Sequence, residues 1–377
     1  MNLKCLSCGK PLCKENCPIS TKINEITKLV KEDRFDEALT ILYQNNPIPY
    51  ITGLLCEGYC TINCILNKND IVFSYKDLEL ELSKFVFDTT IFYKPLNGKK
   101  IGIIGGGISG IASAILFRRE GFRVDIYEKG HILNTLFDTF SFDKLSMDEY
   151  DYIVDRLNRE DIHFIISEIG KDLTINELRN YYDYVVIASG YDVSKKIDIE
   201  GDKSYKYCFD EISYYKNLEL KEDDNDLFNQ TFYLYGLGNV SLDLALILKR
   251  LSANVNLIYY KPRERSRLSI HDQKRIEGNE LNVLFDTRVI SYKDGEITIE
   301  HNNELSKLNG KLIVAVGQKS SYNFLNNSSI KIEDLVIDEE YKTKIDNLFI
   351  IGDLVEPVKD ISNAIKSAKN ILKNIVD

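Results

Sequence analysis

Lys99-Lys100-Ile101-Gly102-Ile103-Ile104-Gly105-Gly106-Gly107-Ile108-Ser109-Gly110 is the stretch whose reading decides the fold. The apolar run 101–104 predicts a buried strand, the glycines a tight turn, and 108–119 a helix. A second strand over 123–127 ends on Glu128. Strand, G-x-G-x-x-G turn, helix, strand and terminal acid together predict the βαβ start of a dinucleotide site. Gly105 permits the turn, Gly107 lets the backbone approach a pyrophosphate, and Gly110 lets helix and strand pack closely. The pyrophosphate would rest on the free N–H groups at Ile108 and Ser109, and Glu128 would meet ribose hydroxyls. The apolar stretch 101–117 is only marginally long enough for a membrane span, and its glycines and flanking charges fit strand, turn and helix better.

The same pattern returns further along. A strand over 231–235 leads into Gly236-Leu237-Gly238-Asn239-Val240-Ser241, then a helix to about Leu251 and a strand over 255–259. The third small position is Ser241 rather than Gly. No acid ends the second strand; Tyr260-Lys261 stands there, with Arg263 and Arg265 close behind. Without a carboxylate for the ribose 2′-hydroxyl, and with cations that could meet a 2′-phosphate, this unit favours NADPH, with NADH as the alternative. Two such units in one chain imply two nucleotides.

Seven of the eight cysteines lie before residue 65, spaced Cys5-x2-Cys8-x4-Cys13-x3-Cys17-Pro18 and Cys56-x3-Cys60-x3-Cys64. Such short loops, ending in Cys-Pro, suit thiolates converging on iron–sulfur cubanes. Zinc held by four thiolates per site is the rival reading. Cys208, far away, reads as a core thiol. The cysteine segment also carries two expected helices. One follows Ser20 or Thr21 as N-cap with Ile23, Ile26, Leu29 and Val30 on one face; the other carries Phe35, Ala38, Leu39 and Leu42 and stops near Asn45-Asn46-Pro47. A third is expected over about 76–86.

The 377 residues suffice for two or three domains, and 44% hydrophobic with 28% charged residues describes a globular chain. A net charge of -10 argues against a nucleic-acid partner. The most acidic run, 221–226, reads as a solvated face. Met1-Asn2-Leu3-Lys4-Cys5 lacks the apolar core of a secretory signal, so the expected setting is cytoplasmic, with no membrane partner.

These residues resemble the small subunit family of bacterial glutamate synthase and the electron-input half of dihydropyrimidine dehydrogenase. The resemblance rests on Cys5-Leu-Ser-Cys8-Gly-Lys-Pro-Leu-Cys13-Lys-Glu-Asn-Cys17-Pro18, on Asn45-Asn46-Pro47, on Cys56-Glu-Gly-Tyr-Cys60 and on Gly236-Leu-Gly-Asn239-Val240-Ser-Leu-Asp243. Ile350-Ile351-Gly352-Asp353 is similar to the closing flavin motif, and Ala188-Ser189-Gly190 stands where the family has Ala-Thr-Gly. The resemblance implies an α/β chain: a small helical two-cluster iron–sulfur domain (1–95), then two Rossmann-like domains of the pyridine nucleotide-disulfide oxidoreductase type. FAD would occupy 96–225 with 320–377, and NAD(P)H 226–319. Asp353 would meet the ribityl chain and Ala364 would lie by the isoalloxazine.

The family pattern also implies a ligand division. Cys5, Cys8, Cys13 and Cys64 would hold one [4Fe–4S] cluster; Cys17, Cys56 and Cys60 would hold the other, completed by Glu79, with Glu81 as the alternative. Electrons would pass from NAD(P)H through FAD and the clusters to a protein partner, such as a large synthase-type subunit, on which activity would depend in the alternative reading. A flavoprotein with a structural metal domain is the remaining reading. A disulfide reductase would need a redox-active cysteine pair near the flavin, and after Cys64 only Cys208 remains.

Overall fold

The computed structural model describes residues 4–62, 64–67, 73–221, 227–266 and 268–376, so most of the acidic run 221–226 lies outside the described residues. The chain divides into two compact units: 1–134 with 148–190 and 322–377, and 135–147 with 191–321.

In the first unit, the strand Lys100–Ile104, the helix Ile108–Arg119 and the strand Arg123–Glu128 fall where the apolar run and the glycines require. They belong to a parallel five-stranded sheet, in the order Leu348–Ile350, Tyr184–Ile187, Lys100–Ile104, Arg123–Glu128, His163–Ile166. Its strands are nearly continuous apolar runs, as expected of a parallel sheet covered on both faces. The stretch 101–117 is therefore strand, turn and helix, and among the described residues no helix is long and apolar enough to cross a membrane.

The cysteine segment forms short helices in the same unit. Ile23–Lys31, Phe35–Asn45 and Tyr75–Ser83 bury Ile26, Leu42 and Leu82 against one another. Neither Ser20 nor Thr21 caps the first of these: Lys22 holds the N-cap position without a side-chain cap. Ser20 is in the left-handed region (φ 55), and the Thr21 hydroxyl is 3.3 Å from the Cys17 sulfur instead. The helix expected over 76–86 runs Tyr75–Ser83 and is capped by Ser74, whose hydroxyl accepts from the Asp77 N–H. Two arginine contacts seat these helices on the sheet layer. Arg119 donates to the Tyr43 carbonyl at 2.7 Å, and Arg156 donates to the Tyr43 hydroxyl at 2.5 Å.

The second unit repeats the pattern. The strand Thr231–Tyr235, the helix Asn239–Arg250 and the strand Asn254–Ile258 join a parallel sheet with Asn282–Leu284, Lys311–Val314 and Lys206–Tyr207. This unit is wider than the stretch 226–319 read from the sequence. The helix Cys208–Leu220 brings Cys208, Ile212 and Tyr215 into its core. Segment 135–147 is tied in by a buried ionic cluster: Arg275 donates to Asp243 (2.8 Å), Asp272 (3.0 Å), Asp143 (2.8 Å) and the Ser141 hydroxyl (2.7 Å). Burial raises the Asp143 pKa, but hydrogen bonds from Arg275 and Ser141 and the nearby cations outweigh it and bring it down to about 2. This contribution is therefore present at neutral pH and is lost as pH falls from the ordinary carboxylate range through about 2. Arg275→Met would strip the buried Asp243 (1% exposed) of its closest cation and leave it only Lys144, at 3.3 Å, and the Ser141 hydroxyl. The expected cost is about 3 kcal/mol, read as a lowered denaturation midpoint of the second unit at pH 7.

Candidate functional site

The first glycine turn fits a pyrophosphate. Gly105 has φ 108, and a Cβ there would lie 2.6 Å from the Ala188 carbonyl oxygen, so only glycine makes this turn. Gly107 is the N-cap of the following helix, without a side-chain cap, and a Cβ built on it meets nothing within 4 Å. Open space and free helix N–H groups thus coincide at Gly107, Ile108 and Ser109, as an anion cradle requires. Glu128 sits beside the turn, where its carboxylate accepts from the Gly106 N–H at 2.7 Å and the Gly130 N–H at 3.1 Å. Gly190 takes φ 61, and the buried Ser189 hydroxyl next to it has no hydrogen-bond partner.

The closing motif packs onto this turn. A Cβ on Gly352 would stand 2.3 Å from the Ser109 hydroxyl, and the Gly352 N–H donates to Ser367 at 3.1 Å. Asp353 is half-buried, and desolvation raises its pKa. It precedes the long terminal helix Ile361–Val376, in which Ala364 is buried. Asp360 caps that helix through the Asn363 N–H at 2.8 Å.

The second turn, in the second unit, has the same backbone. Gly236 takes φ 131, and a Cβ on Gly238 meets nothing within 4 Å. Ser241, in the third small position, donates to the Gly238 carbonyl and accepts from the Gly238 N–H, each at 2.8 Å, at the start of the helix that Asn239 and Val240 open. Of the cations expected beyond the strand, Arg263 pairs with Glu277 at 2.9 Å, while Lys261 lies over the Tyr260 ring. Arg265 is exposed. That ion pairing was not foreseeable from the spacing of the basic residues.

The cysteines fall into two neighbourhoods. Cys5, Cys8, Cys13 and Cys64 line one cavity of about 120 Å³, and Cys60 lines it too. Burial pushes the Cys13 thiol up to about 11, and the Cys5 and Cys64 sulfurs push in the same direction. Cys17 and Glu79 both act on Cys56 and on Cys60, and Cys56 acts on Cys60. Burial raises the Cys56 and Cys60 thiols too. Ligation requires thiolates, so loading either neighbourhood must release protons. Among the described residues no group of three or more His, Cys, Asp or Glu stands ready to hold a single metal ion. Cys208 is a buried core thiol, 3.5 Å from the Val240 carbonyl.

Glu79 is the informative member. A helical Glu is ordinarily solvated, yet this one is 4% exposed, while Glu81 is exposed. Burial raises its carboxyl to about 7 against the lowering effect of hydrogen bonds from Asn46 (at 3.1 Å) and Thr52. A buried carboxylate acting on two thiols has donor chemistry suited to a mixed iron site. Glu79→Ala is expected to leave about four irons per chain instead of about eight, and Glu81→Ala to leave iron unchanged, as read by metal analysis.

The second cysteine neighbourhood also touches the terminal helix. The Cys56 sulfur lies 3.2 Å from the Ser362 hydroxyl, and the Tyr59 hydroxyl donates to Asp360 at 2.6 Å. These partners are some three hundred residues apart in sequence, and neither Ser362 nor Asp360 is singled out by a motif.

Residues 99–368 match the family model for pyridine nucleotide-disulphide oxidoreductases, and residues 2–92 match that for dihydropyrimidine dehydrogenase domain II, 4Fe-4S cluster. The chain is 30% identical to the glutamate synthase [NADPH] small chain of Bacillus subtilis over 56% of its length and 46% of that protein. It is 24% identical to the putative oxidoreductase YgfK of Escherichia coli K12 over 98% of its length and 38% of that protein. The chain thus spans less than half the length of these curated relatives. Among solved structures, thioredoxin reductase of T. acidophilum superposes with a TM-score of 0.55 at 18% identity, over 74% of this chain and all of that one, a likeness of fold.

Proposed function

Given that the chain belongs to the pyridine nucleotide-disulphide oxidoreductase family, with a 4Fe-4S domain at its N-terminal end, we propose that it oxidises NAD(P)H, preferentially NADPH, and delivers the electrons singly through two [4Fe–4S] clusters to a protein partner. Bound FAD supplies the conversion between a hydride and single electrons, which clusters can carry.

The chain's own residues bind and position. Gly105, Gly106, Gly107, Ile108, Ser109 and Gly110 cradle the FAD pyrophosphate, Glu128 closes that turn, and Gly190, Asp353 and Ala364 serve the flavin end. Gly236, Gly238, Asn239 and Val240 receive the second nucleotide, and Lys261 with Arg265 supplies positive charge for a 2′-phosphate; Arg263 shares its charge with Glu277. Cys5, Cys8, Cys13 and Cys64 hold one cluster, and Cys17, Cys56, Cys60 and Glu79 the other.

The observation that carries this reading is the 3.2 Å approach of the Cys56 sulfur to Ser362 on the terminal helix. It sets the second thiol group against the element that follows the closing flavin motif, as an electron route from flavin to cluster requires. Family membership makes a disulfide reductase the obvious competitor. That chemistry needs a cysteine pair, and Cys208 stands alone in the second unit's core.

The test is anaerobic addition of NADPH to the reconstituted chain with an artificial one-electron dye. Dye reduction with bleaching of cluster absorbance is the expected result. Activity that appears only with a co-purified protein would assign the chain a partner-dependent role. Nicotinamide oxidation with no change at the clusters would contradict the electron route.

A further inference from the structure

The terminal helix Ile361–Val376 carries two polar residues seven positions apart, hence two turns along one face: Ser362 and Lys369. Both reach the second cysteine neighbourhood. The buried Ser362 hydroxyl stands 3.2 Å from the Cys56 sulfur. A ligating thiolate can only accept, so with a cluster in place Ser362 is the donor. Lys369 donates to the Ile19 carbonyl at 2.9 Å and the Asn45 carbonyl at 3.1 Å. Ile19 lies two residues after Cys17, and Asn45 adjoins Asn46, which donates to Glu79. Burial lowers the Lys369 pKa, the nearby Cys17 sulfur raises it, and the ammonium's hydrogen-bond partners are the two carbonyls rather than a carboxylate. One helix face thus holds a hydrogen-bond donor against one ligand and a positive charge beside another.

Resting on the cluster reading above, we propose that Ser362 and Lys369 set the reduction potential of the second cluster and make it the easier of the two to reduce from the flavin side. Reduction places one electron on the cluster, taken from the pair that NAD(P)H supplies; no bond is made or broken, and no proton is required. Hydrogen bonds to the sulfurs and nearby charge are the protein's principal controls on cluster potential. Both favour the more negative, reduced form, and more strongly in a half-buried site than in water. The two residues act through the ligands, as positioning and tuning groups. They also bind the segments that carry Cys17, Asn46 and Cys56 to the helix on which Ala364 sits.

Anaerobic redox titration of the full-length holoprotein, followed by electron paramagnetic resonance, tests this on Ser362→Ala, Lys369→Gln and Lys369→Arg. Ser362→Ala and Lys369→Gln are each expected to lower the ratio of reduced to oxidised second cluster at fixed potential by about tenfold, a shift of about 59 mV for one electron. Lys369→Arg, which keeps the charge, should stay near the wild type, and the first cluster should not move in any variant. Unchanged midpoints in both Ser362→Ala and Lys369→Gln would overturn the proposal. So would an equal shift in Lys369→Arg and Lys369→Gln, or loss of the second cluster in both, since the lysine would then be only a structural peg. A wild-type chain without acid-labile sulfide would sink the cluster reading itself, whereas intact clusters with unmoved potentials would sink only this inference.

Discussion

Cys13→Ser is expected to remove one cluster, leaving about four irons and four sulfides per chain, while FAD stays bound. The Cys13 sulfur lines the cavity shared with Cys5, Cys8 and Cys64, and a hydroxyl in its place would be an ill-matched ligand for iron. The flavin motifs are on separate segments, the Gly105 turn and the Gly352 loop. Cys17 and Glu79 act on Cys56 and Cys60, whereas Cys13 is acted on by Cys5 and Cys64, so the second cluster should survive. Iron, sulfide and flavin assays on the purified variant give the answer. Undiminished iron would remove Cys13 from the ligand set, and loss of all iron would show that the two neighbourhoods assemble as one.

Gly110→Val is expected to abolish FAD retention. A Cβ at residue 110 would stand 1.9 Å from the Gly105 carbonyl oxygen, a distance no real contact tolerates. Helix and turn would have to separate, at an overpacking cost of about 3 kcal/mol before the extra methyl groups are accommodated. If that cost falls on the bound conformation, flavin affinity drops about a hundredfold or more. Gly107→Ala separates binding from folding. Its Cβ meets nothing within 4 Å, so the apoprotein should melt normally while the pyrophosphate is crowded and flavin content falls. Flavin release on denaturation and a thermal melt measure both. Wild-type flavin in Gly110→Val would contradict the assignment of this turn.

The parts of the fold that were legible in the sequence are those set by local chemistry. Apolar runs flanking Gly105 and Gly236 announce strand, turn and helix because the turn residues and the periodicity act within a dozen positions. The Ser20 and Thr21 cap was misjudged because a sulfur at Cys17 competes for the threonine hydroxyl, and propensity carries no sign of that. Segment 135–147 gave no signal of belonging with the second unit, since its partners Asp243 and Arg275 lie over a hundred residues away. Glu79 was reached through family resemblance alone: its burial depends on Asn46, from another helix end. Ser362 and Lys369 could not be found at all, because what distinguishes them is proximity to Cys56 and Cys17 across nearly the full length of the chain.

The central claim is that a flavin and two iron–sulfur clusters share this chain. Iron, acid-labile sulfide, zinc and flavin per chain, measured on protein purified without oxygen, test it most directly. About eight irons with matching sulfide and about one FAD are the predicted result. Zinc without sulfide would contradict it, make the cysteine segment a structural module and remove the route from flavin to clusters.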